Sequence, residues 1–362
     1  MLCVGAWNVR TLMDRKDSDR PERRTALVAH ELQRYNIDIA ALSETRLADK
    51  GEVTETGGGY TFFWSGKRPD EPRESGVGFA IRTTLVRNLE TLPRGINDRL
   101  MVMRLPLKGK TQVTLISAYA HTMSYEQEQK ELFYEKLAHL LNSVSKHDKL
   151  LLMGDFNARV GSDSQSWPDV IGAHGVGREN SNGQMLLTLC SEHGLTVTNT
   201  LYQLPDIHKV TWMHPRSKRW HQIDYIITRQ LDIRDVRITR AMRGADCWTD
   251  HTLLRSKLSF STASAHHTHR RRKDSTKKKL DVLKLSHPET KEVLAANLRE
   301  QIKKLPAENN PEKAWKNFRK VLYGTSELTL GHARRKHQDW FDNNNEEITR
   351  LLRQKQKTEA LL

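Results

Sequence analysis

Eight polar residues stand where apolar stretches of this sequence stop. Asn8 lies at the end of Leu2 to Val9 (Leu-Cys-Val-Gly-Ala-Trp-Asn-Val), Glu44 follows Asp38 to Ser43, and Tyr119 ends Val113 to Tyr119. Asp155 and Asn157 close Leu150-Leu151-Leu152-Met153-Gly154-Asp155-Phe156-Asn157; Asp224 sits in Ile223-Asp224-Tyr225, and Asp250 and His251 end Trp248-Thr249-Asp250-His251. An apolar run closed by a turn signal reads as a strand buried on both faces. Residues two apart on a strand share a side, so Asp155 and Asn157 aim at one spot above a sheet edge. Gly-Asp-x-Asn is also ordinary turn chemistry, and that motif alone fits both readings. The set as a whole favours a site, because ligands in layered α/β folds gather outside strand ends. Glu44 and Asp250 are hard oxygen ligands suited to Mg²⁺ or Mn²⁺. His251 beside a carboxylate such as Asp224 can be oriented and held positive near a phosphate. These types together suit metal-assisted phosphodiester hydrolysis.

The elements that must position these residues follow from pattern. Further strands are expected at Tyr60 to Ser65, Gly76 to Ile81, Leu100 to Leu105, Val210 to Met213, Gln222 to Ile227, Val236 to Ala241 and Leu253 to Phe260. Helical spacing predicts helices over Pro21 to Tyr35, Ser124 to Lys146 and Asn182 to His193, the second opened by a capping box of Ser124 and Gln127, the third closed by Gly194. Val160 to Ser181 reads as a long Gly/Asn/Ser-rich loop of the kind that carries function. Strands alternating with helices make this an α/β (α+β) chain.

Its 362 residues carry a net charge of +15, which points to a polyanionic partner, nucleic acid before anionic membrane. Residues 261–362 hold 23 Lys/Arg against 13 Asp/Glu, so most of the excess lies after residue 260. Cys3, Cys190 and Cys247 are odd in number and widely spaced, excluding a disulfide framework or a zinc pattern and suiting a reducing compartment. No apolar run approaches a membrane span, and Arg10 interrupts the only N-terminal apolar stretch, so no secretory signal is expected.

As an ordered set, Asn8, Ser43-Glu44-Thr45, Tyr119, Gly154-Asp155-Phe156-Asn157, Ile223-Asp224-Tyr225 and Thr249-Asp250-His251 resemble the motifs of the endonuclease/exonuclease/phosphatase family. With the Trp7-Asn8-Val9-Arg10-Thr11-Leu12 opening, they resemble more specifically the endonuclease domain of RTE-type non-LTR retrotransposons. The resemblance covers about residues 1–260. It implies a four-layer α/β sandwich, with Glu44 binding Mg²⁺ (Mn²⁺ as alternative), Asn8 beside it and Asp250 assisting. It implies that Asp155 orients or deprotonates the attacking water, that Asn157 and Tyr119 face the scissile phosphate, and that Asp224 orients His251. Arg10 stands where the abasic-site repair members carry an acid, which argues against abasic-site repair and leaves Arg10 free to meet a DNA phosphate.

DNA contact is expected mainly from the basic loop carrying Arg216, Lys218 and Arg219, with Trp212 behind it, since a cationic hairpin beside aromatics can enter a groove. The same residues also fit a solvated basic loop. Thr211 matches a Thr that precedes the catalytic acid in related retrotransposon nucleases, and Arg178 and His174 in the long loop are further candidates. Residues 261–285 read as a basic linker, with His269 to Lys279 fitting nuclear import or nucleic-acid contact, RNA included. Residues 286–362 read as a basic, mostly helical tail, with helix starts at Ser286-His287-Pro288-Glu289, Pro311 and about Asn345; Arg334 to Asp342 resembles the segment between nuclease and polymerase in such elements. No Tyr/Phe-Ala-Asp-Asp occurs, so the expectation is a domesticated gene product or a fragment. The leading expectation is thus a Mg²⁺-dependent nicking endonuclease in the nucleus. Its rivals are a non-catalytic nucleic-acid or chromatin binder, and phosphatase or sphingomyelinase chemistry on small or lipid phosphates.

Overall fold

A computed structural model describes residues 1–14, 23–109, 111–260, 280–306 and 311–332. The chain divides into two compact units, Met1–His267 and Thr268–Leu362. In the first unit fifteen strands run in chain order: β1 Leu2–Asn8, β2 Ile39–Ser43, β3 Lys50–Glu55, β4 Tyr60–Ser65, β5 Val77–Arg82, β6 Arg94–Gly95, β7 Leu100–Pro106, β8 Gln112–Tyr119, β9 Lys149–Asp155, β10 Leu195–Val197, β11 Trp212–Met213, β12 Trp220–His221, β13 Asp224–Arg229, β14 Val236–Met242 and β15 Leu253–Leu258. Its helices are α1 Arg24–Arg34, the single turn α2 Thr83–Val86, α3 Gln127–Ser143 and α4 Ser181–Glu192.

Two large sheets form, in the order β14-β15-β1-β2-β5-β4-β3 and β10-β13-β9-β8-β7-β6. Side-chain alternation divides each central strand between two cores. On β1, Leu2, Val4 and Ala6 face the second sheet, meeting Met103, Leu115, Leu151 and Met153. Cys3 and Trp7 face the other way, against Val28, Ala29 and Leu32 of α1. Leu150 and Leu152 of β9 and Tyr225 and Ile227 of β13 meet Phe133, Leu137, Leu186 and Leu187 of α3 and α4. The layers are therefore helix, sheet, sheet, helix, the mixed α/β sandwich that the motif resemblance implies.

Being covered on both faces explains why the central strands read as unbroken apolar runs. All seven residues of β1 and all five of β2 are buried. The edge strand β3 alternates exposed and more covered positions and is mostly polar, which is why no apolar signal marks it. Two local expectations change. α3 begins at Gln127 behind Glu126 with no side-chain cap, because Ser124 Oγ is engaged with Thr122 Oγ1 at 2.8 Å instead of closing a capping box. The long loop is fastened rather than free: Gly161 bridges Val176, Ile171 bridges Val197, and Val170 and Ile171 are buried.

The second unit contains α5 Pro288–Lys303 and α6 Pro311–Leu330. Pro288 sits in the first turn of α5, where its missing N–H costs nothing, but the residue before it is His287 with no side-chain cap. On α5 Leu294 is buried while Val293 and Ile302 are exposed. The basic run His269 to Lys279, the segment Arg334 to Asp342 and the helix expected from about Asn345 lie outside the described residues. Among the described residues no helix is long and apolar enough to cross a membrane.

Candidate active site

Strand direction gathers the polar ends. β1 is parallel to β2, and β8 to β9, so Asn8, Glu44, Tyr119 and Asp155 leave their strands at one end. β13 and β15 run antiparallel to β9 and β1, so Asp224 at the start of β13 and His251 just before β15 arrive at that same end, with Asp224 directly opposite Asp155. The two sheets meet there: Ser43 Oγ lies 3.4 Å from both the Asp155 N–H and the Ala118 carbonyl.

Asp155 is the hub and is buried. Its Oδ2 accepts from Asn8 Nδ2 at 3.0 Å and its Oδ1 from the Asn157 backbone N–H at 2.9 Å. His251 Nε2 stands 3.9 Å from Asp155 Oδ2, and its Nδ1 meets Asp224 Oδ2 at 3.0 Å. Asp155, Asp224 and His251 can thus bring ligand-type atoms within 4.8 Å of one another. Burial, then the Asp224 charge, push the Asp155 carboxyl up to about 7 against the opposing pull of His251, Asn8 and Asn157. Burial alone would lower the His251 imidazole; Asp224 above all, then Asp155 and Asp250, outweigh it and hold it at about 9. Glu44 stands across this end, with Oε1 accepting from the Tyr119 hydroxyl at 3.0 Å and from Arg46 Nη2 at 3.3 Å. Burial and the neighbouring Glu44 and Asp155 charges push the Tyr119 phenol far up, so it stays a protonated donor.

For both groups the folded state binds protons more tightly than the unfolded chain. Asp155 rises from an ordinary 3.8 and His251 from 6.5. Stability from Asp155 is full below about 4 and lost as pH climbs through 7; that from His251 is full below 6.5 and lost through 9. Between pH 5 and 8 in EDTA, the melting temperature of the native chain should therefore fall relative to that of Asp155→Asn, which cannot ionise. Parallel melting curves across that range would count against this arrangement.

The backbone is shaped to serve these side chains. Asn157 adopts φ +47° and Glu44 φ +56°, a left-handed conformation uncommon outside glycine. Asn157 Nδ2 donates to the Ala120 carbonyl at 3.0 Å. Asn182, at the start of α4, donates Nδ2 to the carbonyls of both Asn157 and His121 at 3.0 Å, tying helix to site. Asn199 donates to the Asp224 carbonyl and accepts from the Ile226 N–H, fixing the head of β13. Trp7 Nε1 donates to the His251 carbonyl at 3.1 Å, and Arg99 Nη1 to that of Tyr119 at 3.2 Å. Of these four supporting residues only Trp7 stands in a sequence motif; buried Asn and Arg, however, are uncommon without a partner, and that rarity is the signal Asn182, Asn199 and Arg99 carry.

The substrate-contact candidates divide. Arg216, Lys218 and Arg219 are exposed on the β11–β12 ribbon, whose turn is held by His214 Nδ1 accepting the N–H groups of Arg216 and Ser217. Trp212 packs its ring 6.2 Å from that of His251 and gives its Nε1 proton to Asp250 Oδ2 at 3.0 Å. Asp250 Oδ2 is therefore engaged by the ribbon. Thr211 has no exposed surface; its hydroxyl accepts the N–H groups of Ile223 and Asp224 at 3.2 Å. It fixes the start of β13, where Asp224 stands, and has no surface to offer a substrate. Arg10 is exposed beside Asn8, its N–H held by Asn8 Oδ1 at 2.9 Å. Arg178 is exposed on the long loop, whereas His174 is half-buried with its N–H on the Thr200 carbonyl.

The donor set fits a hard divalent cation. Glu44 keeps 18% of its side chain exposed at the site mouth, and the buried Asp224 Oδ1 has no hydrogen-bond partner, so hard carboxylate oxygen remains available at this end of the sheets.

Known proteins resemble this chain. Craniofacial development protein 2 of Bos taurus is 35% identical over 257 residues, covering 71% of this chain and 40% of that protein. That of Tragulus javanicus is 34% identical over the same length, covering 71% of this chain and 42% of that protein. The chain thus spans less than half the length of these relatives. Among solved structures, the catalytic domain of Xenopus laevis APE2 superposes with a TM-score of 0.52 at 13% identity, covering 74% of this chain and 94% of that domain, a likeness of fold. The Endonuclease/Exonuclease/phosphatase family model matches residues 5–259, the stretch that builds both sheets and supplies every strand-end residue described above. By that match and that geometry, the chain belongs to the Endonuclease/Exonuclease/phosphatase family.

Proposed function

We propose that this protein is a Mg²⁺-dependent DNA endonuclease that nicks one strand, leaving 3′-hydroxyl and 5′-phosphate ends. One observation carries the reading: the Asp155 carboxylate is held by Asn8 and the Asn157 N–H directly against a His251–Asp224 pair, at the common end of two sheets. Asp155 has the position and the raised proton affinity to take a proton from an attacking water. His251, fixed through Nδ1 by Asp224, presents a positively charged Nε2 toward the same spot, where negative charge grows on phosphorus. The Tyr119 hydroxyl donates at the other side. Glu44 would hold the divalent ion, which when bound neutralises phosphate charge.

DNA is favoured over small or lipid phosphates by the +15 net charge and by the basic ribbon standing next to His251. The motif set supports an origin in a non-LTR retrotransposon. The basic run after residue 260 supports nuclear residence and added affinity for DNA or RNA. Supercoiled plasmid with Mg²⁺ tests the activity: conversion to the relaxed circle is expected, abolished by EDTA. Salt-dependent binding without conversion would replace the endonuclease by a non-catalytic binder, and turnover of inositol phosphates without plasmid nicking by a phosphatase.

Within this reading Trp212 is a positioning residue. Trp212→Ala removes both the Asp250 bond and the ring beside His251, and should lower the nicking rate by about 10–100-fold, as for other side chains that orient a catalytic group. Trp212→Phe keeps the ring and should recover part of that loss. Equal rates for the two variants would show that the ring does not matter.

A further inference from the structure

Beside the catalytic end lies a cavity of about 250 Å³ that the chemistry above does not use. It opens between the Asn97–Arg99 turn, the residues following β8, and α3. Its walls are aromatic and aliphatic: Tyr125 and His121 approach with ring centroids 4.7 Å apart, and Phe133 stands edge-on to His121 at 6.0 Å. Three cations border it, Lys67, Arg99 and Lys136, against the single carboxylate Asp98. Asp98 is already engaged, accepting from Ser75 Oγ at 2.5 Å and lying 3.8 Å from Arg99 Nε. The cavity therefore keeps a surplus of positive charge.

Two further facts mark it as a built site rather than a surface dent. Arg99 is more than nine-tenths buried, its guanidinium 5.0 Å from the Tyr119 ring and 5.4 Å from that of Tyr125. His121 Nδ1 is buried with no hydrogen-bond partner, a costly arrangement for a polar atom. Burial, then the Arg99 charge, press the His121 imidazole down to about 4, so it stays neutral at pH 7. Its uncharged ring can both stack and exchange a hydrogen bond.

Hydrogen bonds tie the cavity to the reaction site. Arg99 grips the carbonyl of Tyr119, whose hydroxyl meets Glu44, and the His121 carbonyl is tied through Asn182 to Asn157. We propose that this cavity receives a nucleotide next to the scissile phosphate, its base against Tyr125 and His121 and its own phosphate between Lys67, Arg99 and Lys136. A base seated there has left the duplex stack, so the nuclease should cut best where the strand is frayed or unpaired. Aromatic stacking with cationic contact to the backbone is how proteins hold single strands without reading sequence. This inference rests on the endonuclease reading for its biological sense, but its test does not.

The test is titration of the full chain, labelled with ¹⁵N-histidine, with thymidine 5′-monophosphate, deoxythymidine and inorganic phosphate. Thymidine 5′-monophosphate is expected to shift the His121 ring resonances saturably, with clearly weaker shifts from the other two. The double variant Lys67→Ala/Lys136→Ala should weaken that binding about ten-fold, the effect of losing a charged hydrogen bond. An unmoved His121 resonance, equal affinity for inorganic phosphate, or unchanged affinity in the double variant overturns the proposal. If the native chain fails to nick plasmid while the nucleotide still titrates His121, the endonuclease reading falls and the nucleotide site stands.

Discussion

Asp155→Asn should reduce plasmid nicking by about 10³-fold while leaving the fold at least as stable as the native one. The asparagine is nearly isosteric, and its one amide oxygen can still accept from the Asn157 N–H, while its NH2 takes the place of the oxygen that faces Asn8. It cannot take a proton from water, and loss of a positioned general base costs on the order of 10²–10⁴ in rate. It also removes a buried negative charge that faces Asp224 across the β9–β13 ladder. Nicking rates and thermal melts on the same preparations check both halves. A variant within ten-fold of native activity would assign the base elsewhere; one that is inactive and unstable would reduce Asp155 to a structural residue.

Gly154→Ala should act through the fold. Gly154 pairs with Ala118 in the β8–β9 ladder at φ +147°, and a Cβ there would sit 1.9 Å from the Ala118 carbonyl oxygen. Backbone, unlike a flexible side chain, cannot step aside without breaking the parallel pair that aligns Tyr119 with Asp155. Overpacking and a disfavoured conformation each cost about 1–3 kcal/mol, so a loss of about 4 kcal/mol is expected. That is a large share of the roughly 5–15 kcal/mol that holds a typical protein folded. Gly177→Ala is the control: its φ of +72° is also left-handed, but nothing lies within 4 Å of its Cβ position. Urea unfolding should separate the two, and equal midpoints would show that the contact with Ala118 is relieved.

Gly154, intolerant of change in the fold, also makes this end of the strand legible. An apolar run cut by Gly-Asp-Phe-Asn could be read as a strand with two aimed polar groups, and a strand is what β9 is. Asn8, Glu44, Tyr119, Asp224 and His251 could be read likewise, because a strand buried on both faces must change character sharply where it reaches water. β3 could not, since an edge strand needs no apolar run. Thr211 was legible as part of the motif, but whether a hydroxyl faces DNA or the backbone of its neighbour depends on how the ribbon folds back. Asn182 and Arg99 were invisible for a related reason. Each acts on a carbonyl remote in sequence, and single-chain periodicity records only what is near. The fastening of the long loop is illegible in the sequence because bridges such as Gly161 with Val176 carry no side-chain pattern.

β1 pairs with β15 from Leu2↔Leu258 to Ala6↔Leu254, and Trp7 reaches the carbonyl of His251. The first strand thus waits for nearly the last before its sheet can close. Such distant pairing is slow to form, because the whole intervening loop must be ordered before its contacts reward it. During synthesis Asn8, Glu44 and Asp155 emerge long before His251, so under the proposed function the nascent chain holds most of the site without its cation. Cutting power would arrive in a single late step, when the strand behind His251 docks. On the same proposal, a chain interrupted anywhere before that strand would not cut DNA.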